Sequence, residues 1–155
     1  KGPSRFVRSL LLDVHVEEAH NWKLYRKYQR IERRETQSES YATEDADMVV
    51  VAYGTAARIA KGAVRRLRDK GMKVGLFRPI TLWPFPSKTL ARLAESVGKF
   101  LVFEMSMGQM VEDVKLALNG KAEVDLYGRP GGVVVTPVEL SRILSRRYNA
   151  MQHEA

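Results

Sequence analysis

Cysteine is missing from all 155 residues of this chain. Its absence excludes a disulfide framework, a thiolate-held iron–sulfur cluster, a cysteine zinc site and a cysteine nucleophile within the polypeptide. Any electron carrier that works with this chain must therefore lie on another one. The three histidines, His15, His20 and His153, lack metal-ligand spacing. We accordingly predict no catalytic, cofactor-binding or metal-binding residue in this chain.

Long apolar runs are also missing. No run approaches the roughly 20 residues that a membrane span needs, and the stretch over residues 6–16 is interrupted by Arg8 and Asp13. We therefore expect a soluble, cytoplasmic protein without membrane contact. The hydrophobic content of 45% suffices for one sizeable core, whereas 155 residues are too few for two ordinary domains.

Acidic side chains are in the minority, and the net charge is +8. A basic chain brings nucleic acid into consideration. However, residues 1–38 carry nine Lys or Arg against five Asp or Glu, so half of the excess lies in this segment. Its charges alternate in sign along a helical pattern, which is typical of a solvated face or of contact with an acidic protein. We therefore expect no nucleic-acid partner.

The chain divides into three predicted parts. Residues 17–35 contain no Gly or Pro and place Leu24, Tyr28 and Ile31 on one narrow apolar stripe of a helix. Residues 37–47 are rich in Ser, Thr, Glu and Asp and predict a linker. We therefore assign residues 1–47 to a helical linker, 48–149 to the globular domain and 150–155 to a tail.

Strand and helix patterns alternate through the globular part. Apolar runs predict strands over residues 48–53, 73–77, 99–103 and 122–127, with a fifth short strand at 132–135. Thr55 and Ser87 are predicted helix caps, and Thr136 to Glu139 has capping-box spacing. The predicted buried helix positions are Ala56, Ile59, Ala60, Ala63, Val64 and Leu67, then Leu90, Leu93, Ala94 and Val97, then Met110, Val111, Val114 and Leu118, and finally Leu140, Ile143 and Leu144. This order predicts a three-layer α/β/α fold around a mostly parallel sheet of about five strands.

Three polar or proline-bearing segments follow strand ends and should meet at one edge of the sheet. They supply the candidate interface residues Gly54, Thr55, Arg78, Pro79, Trp83, Glu104, Gly108 and Gln109. The proline-rich segment is expected either to cover the core or to dock on a partner. Glu104 is expected to accept backbone amides or to pair with Arg78, and residues 128–132 to form a turn or an anion-binding nest. The turn at Gly54 lacks the further glycines of a dinucleotide site.

Five segments carry a resemblance to a known family. They are DADMVVVAYGT at residues 45–55, GLFRPITLWPFP at 75–86, EMSMGQM at 104–110, YGRPGG at 127–132 and, upstream, AHNWKLYRKYQRI at 19–31. Together they resemble the carboxy-terminal part of the alpha subunit of 2-oxoacid:ferredoxin oxidoreductases, and above all the 2-ketoisovalerate type. The resemblance covers about residues 17–145, and it implies that residues 1–47 are the link from a missing amino-terminal domain.

The resemblance implies a transketolase carboxy-terminal-like domain within a multisubunit enzyme. That enzyme would use thiamine diphosphate, Mg, coenzyme A and iron–sulfur clusters to convert a 2-oxoacid to an acyl-CoA and carbon dioxide while reducing ferredoxin. The implied partners are beta and gamma subunits, with a delta subunit and a dimer left open, and ferredoxin for the whole complex. The diphosphate-binding motif would lie on the beta subunit, so this chain would be inactive alone.

Two other interpretations stay open at the level of sequence. One is the matching domain of a 2-oxoacid dehydrogenase or a transketolase. The other is a free-standing α/β module that binds anions or nucleic acid. A thiamine-type domain encoded upstream of Lys1 would favour the oxidoreductase over both.

Overall fold

The computed structural model describes residue 2 and residues 10–154. The chain forms two compact units, Lys1–Glu35 and Thr36–Ala155. The elements are α1 (Val14–Glu35), β1 (Ser38–Tyr41), β2 (Met48–Val51), α2 (Gly54–Arg68), β3 (Val74–Pro79), α3 (Ser87–Leu93), β4 (Lys99–Glu104), α4 (Met110–Leu118), β5 (Glu123–Gly128) and α5 (Pro137–Glu154).

Helix α1 is the only regular structure among the described residues of the first unit, residue 2 and residues 10–35. The side chain of Asp13 caps it, because its Oδ1 accepts the backbone N–H groups of His15 and Val16 at 2.9 and 3.2 Å. None of its residues is buried, and Trp22 and Tyr25 remain about half exposed in an edge-to-face pair. Neither α1 nor any other helix within residues 10–154 has the length and apolar content of a membrane span.

The second unit is built on one five-stranded sheet with the strand order β1-β3-β2-β4-β5. Strands β2 to β5 are parallel, and β1 runs antiparallel at the edge beside β3. The predicted mostly parallel sheet is confirmed. The expectation of a linker over residues 37–47 is wrong where β1 forms, because Ser38 to Tyr41 pair along β3.

Helices cover both faces of the sheet, so the predicted three layers are present. On one face α2 packs beside α5 over Met48, Val50 and Phe103. On the other face α3 packs beside α4 over Val49, Val51 and Phe100. Alternate residues of β2 thus point to opposite cores, and all four are fully buried. A continuous apolar run is what a central parallel strand requires.

Several helix ends and one strand differ from the sequence expectations. Thr55 and Ser87 lie inside the first turns of α2 and α3, and the capping positions belong to Tyr53 and Pro86, neither of which caps through a side chain. Residues 132–135 form no strand, since Gly131 and Gly132 both have φ of +78°. The predicted tail at residues 150–155 is helical up to Glu154.

A tyrosine in α5 holds the amino end of the sheet. The Tyr148 hydroxyl donates to Asp47 just before β2 and accepts the backbone N–H of Lys73 at 3.4 Å. Burial, and then the hydrogen bond to Asp47, raise the pKa of Tyr148 above its ordinary value of 10.0. The neutral phenol is therefore the form that stabilises the fold.

We predict that Tyr148→Phe lowers the free energy of unfolding by about 1.5 kcal/mol, as expected for loss of a hydrogen bond to a carboxylate. In the unmutated chain this stabilisation is complete below the unfolded pKa near 10.0 and is lost as pH rises through the raised folded pKa. Urea unfolding between pH 7 and 11 measures both effects. Tyr25→Phe on α1 is the control and should change nothing. Equal stability of the two variants at pH 7 would contradict the assigned hydrogen bond.

Candidate subunit interface at the carboxyl edge of the sheet

The four parallel strands end at the same edge of the sheet, at Val51, Pro79, Glu104 and Gly128. All eight candidate interface residues lie at or just beyond this carboxyl edge. Gly54 and Thr55 begin α2, Arg78 and Pro79 end β3, Trp83 follows in the next loop, and Glu104, Gly108 and Gln109 surround the β4–α4 loop. The predicted placement of these three segments at one edge of the sheet is therefore observed, and their role as an interface stays a prediction.

Glu104 is fully buried at the end of β4, where its carboxylate caps α4. It accepts the backbone N–H groups of Gln109, Met110 and Val111 at 3.1, 3.1 and 3.2 Å. The hydroxyl of Ser106 adds a fourth hydrogen bond at 2.6 Å. Of the two predicted roles of Glu104, the acceptance of backbone amides is the one observed. The carboxylate thus occupies the place at the helix terminus where an anionic ligand would otherwise bind.

The β4–α4 loop, which Glu104 caps, is closely packed at two glycines and exposes the large side chain of Met107. Gly108 has φ of +107°, and a Cβ there would lie 2.9 Å from a methyl group of Leu126. A Cβ on Gly128 would lie only 2.5 Å from the carbonyl oxygen of Ser106. Between these constraints Met107 is 83% exposed. The loop therefore holds an apolar side chain in a fixed outward position.

The loop after β3 has an inner and an outer side. Its prolines Pro79, Pro84 and Pro86 are buried, and the Trp83–Pro84 peptide is cis. The ring of Trp83 is 60% exposed, and Ile80 and Leu82 are about half exposed beside it in sequence. Core covering is thus observed for the prolines and Phe85. Ile80, Leu82 and Trp83 face outward, and their role in docking stays a prediction.

Thr81 ties this loop to the segment before β1. Its hydroxyl donates to the carbonyl of Pro84 at 2.8 Å and accepts the backbone N–H of Gln37 at 3.0 Å. The carbonyl of Gln37 in turn accepts the N–H groups of Ile80 and Thr81 at 3.0 and 3.2 Å. These bonds hold the conformation of the loop that carries Trp83.

Arg78 pairs with Glu39 of β1 instead of Glu104. Glu39 lies directly opposite Arg78 in the antiparallel pair, and its Oε2 is 3.1 Å from Nη1 of Arg78. Its Oε1 is 3.1 Å from Nζ of Lys61 on α2. Lys61, and then Arg78, lower the pKa of Glu39 below its ordinary value of 4.5. The carboxylate therefore stays ionised at neutral pH.

Comparison with protein families gives a match over most of this fold. Residues 46–140 match the family described as pyruvate:ferredoxin oxidoreductase core domain II. The chain belongs to this family. The match begins two residues before β2 and ends in the first turns of α5, so it covers the parallel part of the sheet.

Individual relatives extend the likeness beyond the domain II segment. The chain is 46% identical over 140 residues to the ketoisovalerate oxidoreductase subunit VorB of Methanothermobacter marburgensis, a match that covers 90% of this chain and 39% of that subunit. It therefore spans about two fifths of the length of this relative. At least half of VorB has no counterpart in the 155 residues.

Two solved structures share the fold. One is a 2-oxoglutarate:ferredoxin oxidoreductase from Magnetococcus marinus with 2-oxoglutarate, coenzyme A and succinyl-CoA bound, with a TM-score of 0.72, 19% identity and coverage of 89% of this chain and 24% of that one. The other is a split-gene transketolase described as an inactive beta4 tetramer, with a TM-score of 0.58, 15% identity and coverage of 73% and 41%. The expected likeness to oxidoreductase and transketolase domains is confirmed for the fold.

Within residues 10–154 the side chains of this domain II offer no ligand set for an iron–sulfur cluster or a metal ion. The chain has no cysteine for an iron–sulfur cluster, and within residues 10–154 no three His, Asp or Glu side chains lie close enough to hold a metal ion. The α4 terminus that could receive a phosphate already holds Glu104. No reaction step is therefore assigned to residues of domain II.

Sequence reasoning missed the acidic partner of Arg78 and the cationic residues near it. Glu39 lies in the presumed linker, and Arg58 and Lys61 lie three residues apart on α2, which places them on one face of the helix. The spacing of Arg58 and Lys61 was the signal in the sequence that could have revealed this pair of cationic side chains. The residues 128–132, considered as a turn or a nest, form a turn in which Arg129 contacts Tyr127 and Glu139 at 3.0 and 2.8 Å.

Proposed function

We propose that this chain is the carboxy-terminal assembly domain of the alpha subunit of a thiamine-diphosphate-dependent 2-oxoacid:ferredoxin oxidoreductase of the ketoisovalerate type. The observation that carries the proposal is the 46% identity to VorB over 140 residues, which continues beyond the domain II match. The enzyme would convert the 2-oxoacid, coenzyme A and oxidised ferredoxin to an acyl-CoA, carbon dioxide and reduced ferredoxin. Its thiamine diphosphate, Mg and iron–sulfur clusters would lie on other parts of the enzyme.

The carboxyl edge is the proposed contact surface within this enzyme. Trp83 and Met107 are 60% and 83% exposed on two loops of this edge, and Ile80 and Leu82 lie next to Trp83 in sequence. Exposed apolar side chains on well-held loops are typical of protein–protein interfaces. We call Ile80, Leu82, Trp83 and Met107 the apolar edge surface.

The eight candidate residues divide into contacting and positioning groups in this proposal. Gly54, Thr55, Arg78 and Gln109 would reach the neighbouring subunit together with the apolar edge surface. Pro79, Gly108 and the buried Glu104 would instead hold the loops in place, since their side chains or backbone pack inside the domain. The proposed neighbours are the beta and gamma subunits, with delta and a second copy as further candidates.

Helix α1 is proposed to dock on another part of the same enzyme. It has no buried residue, although it carries the large side chains Trp22, Tyr25 and Tyr28. An amphipathic helix generally gains its stability from packing of its apolar face. A helical connection to the thiamine-side domain would supply that packing. We place the assembled enzyme in the cytoplasm.

The likeness to transketolase does not favour the alternative of a transketolase domain. Its TM-score of 0.58 is below the 0.72 of the oxidoreductase, and at 15% identity it concerns the fold alone. A free-standing binding module is disfavoured by family membership. The oxidoreductase proposal therefore stands without a second candidate.

The proposal predicts activity for the complex and none for the chain alone. A complex captured by a tag on this chain should reduce a viologen dye in the presence of coenzyme A and 3-methyl-2-oxobutanoate. Its kcat/KM for this substrate should exceed those for pyruvate and 2-oxoglutarate at least tenfold, or roughly 1.4 kcal/mol. The separately purified chain, shown to be folded by circular dichroism, should give no dye reduction.

Three outcomes of this assay would contradict parts of the proposal. Activity of the isolated chain would overturn its role as an assembly domain. A tenfold preference for 2-oxoglutarate or pyruvate would retain the oxidoreductase and overturn the ketoisovalerate assignment. A captured complex that oxidises none of the three 2-oxoacids, while an authentic member of the family does so under the same conditions, would overturn the whole assignment.

A further inference from the structure

A cationic pocket lies on the α2 side of the sheet, apart from the apolar edge surface. It is open to solvent and has a volume of about 520 Å³. Its polar walls are formed by Glu39, Thr55, Arg58, Lys61 and Arg78, and Ala57 and Leu76 add an apolar wall. This volume is within the range of about 300–1,000 Å³ that is typical of small-molecule sites.

Positive charge exceeds negative charge in this pocket. Arg58, Lys61 and Arg78 supply three cations, and the ionised Glu39 supplies one anion, which leaves a net charge of +2 (3 − 1). Glu39 makes a single 3.1 Å contact with each of Lys61 and Arg78. Each of these two cations therefore retains N–H groups that are not directed at Glu39.

Two donors in the pocket lack acceptors. Within residues 10–154, Arg58 makes no hydrogen bond or ion pair. Among the same residues, Nε of Arg78 is a buried side-chain nitrogen without a hydrogen-bond partner. Buried donors in folded proteins are nearly always paired, so the unpaired Nε marks a guanidinium whose hydrogen-bonding capacity Glu39 alone does not satisfy.

The first turn of α2 adds to the same donor set. No side chain caps this 15-residue helix, and Gly54 and Thr55 line the pocket. Its first amide groups and its dipole therefore favour an anion at this position. At α4, in contrast, the carboxylate of Glu104 already satisfies the corresponding amides.

We propose that this pocket binds a phosphorylated small molecule. A tetrahedral phosphate offers acceptor oxygens for Arg58, Arg78 and the α2 terminus together. At neutral pH it carries about −1.5 to −2 charges, which matches the net charge of +2 in the pocket better than the single charge of a carboxylate does. The volume of about 520 Å³ leaves room for an organic part beyond the phosphate. Gly54, Thr55 and Arg78 line this pocket and are also among the proposed contact residues. The titration therefore uses the chain alone, so that its outcome does not depend on subunit assembly.

Nuclear magnetic resonance titration of the chain with inorganic phosphate, at ionic strength held constant with sodium chloride, tests the proposal. The amide signals of Gly54, Thr55 and Arg58 should shift together to saturation with a single millimolar Kd. Sodium acetate should bind at least fivefold more weakly. Arg58→Ala should weaken phosphate binding at least fivefold, and because Arg58 is exposed and unpaired the fold should be retained.

Arg66→Ala is the matched control, since it removes the same charge from an exposed position of the same helix outside the pocket. It should leave the Kd within twofold. Shifts that do not saturate, or that spread over basic residues of the whole surface, would overturn the site. Equal losses of phosphate affinity in Arg58→Ala and Arg66→Ala would show a general charge effect and would also overturn the site. Acetate binding as tight as phosphate would overturn the assignment to a phosphorylated ligand.

Discussion

Replacement of Glu104 by Ala should lower the free energy of unfolding of this chain by about 3 kcal/mol or more. The substitution leaves the N–H groups of Gln109, Met110 and Val111 and the hydroxyl of Ser106 without their acceptor. Each unpaired buried donor costs about 1–3 kcal/mol. Part of the β4–α4 loop is reached by water, so the total loss of stability is smaller than four times the full cost of an unpaired buried donor. For a chain of this length the loss corresponds to a decrease in Tm of roughly 6–12 °C.

Urea unfolding followed by circular dichroism measures this loss, and Glu112→Ala is the control. Glu112 is an exposed carboxylate in the first turn of the same helix, with a surface ion pair to Lys115 at 3.1 Å. Surface pairs of this kind contribute about 0–1 kcal/mol. If Glu104→Ala and Glu112→Ala differed by less than 1 kcal/mol, the buried carboxylate would not be the cap that holds α4.

Glu104→Gln separates the charge from the shape of this cap. The glutamine amide keeps one acceptor oxygen but presents an NH2 group to a site that already contains backbone donors. We expect most of the stability loss of the alanine variant to persist. Amide exchange at Gln109 to Val111 should quicken in both variants, because these groups are the ones released.

The central sheet was predictable because its strands carry their own signal. Met48 to Val51 and Lys99 to Glu104 are short apolar runs, and a strand between two helical layers needs apolar residues on both faces. The helices between them showed apolar residues at helical spacing, and those of α2 and α4 are buried as predicted. Periodicity and burial agree wherever the element lies in the middle of the fold.

Strand β1 was not predictable from composition, because its sequence SESY contains no apolar run. It becomes a strand through pairing with β3, where Glu39 faces Arg78 and Tyr41 faces Leu76. Cross-strand pairs between residues about forty positions apart leave no local pattern. The same reason hid the cationic pocket, which joins Glu39 to side chains of α2 and β3.

The cap predictions failed for a local reason. Gly54 has φ of +54° and is already the first residue of α2, so the chain turns into the helix two residues earlier than a cap at Thr55 requires. At α4 the cap is not a residue next to the helix but Glu104, which lies at the end of the preceding strand β4. In contrast, Thr136 caps α5 as predicted, since its hydroxyl accepts the N–H of Glu139 at 3.1 Å.

Replacement of Trp83 by Ala should weaken assembly of the proposed oxidoreductase by about 2 kcal/mol, or roughly 30-fold in the dissociation constant. The indole is 60% exposed in this chain and lies on a loop that Thr81 holds through Gln37 and Pro84. Because the loop is already ordered, docking of the ring costs little conformational entropy. The isolated variant should unfold within about 1 kcal/mol of the unmutated chain, as for other exposed positions.

Sedimentation velocity of the assembled enzyme over a dilution series measures the dissociation constant, with Leu116→Ala as control. Leu116 is 79% exposed near the carboxyl end of α4, toward the opposite edge of the sheet. Its loss should change assembly less than twofold, because that edge is not part of the proposed contact. A complex that stays intact with Trp83→Ala, while its affinity for 2-oxoacid or coenzyme A falls more than tenfold, would assign the apolar edge surface to ligand binding instead. Tenfold corresponds to roughly 1.4 kcal/mol, well within what one buried indole contributes at a site of either kind.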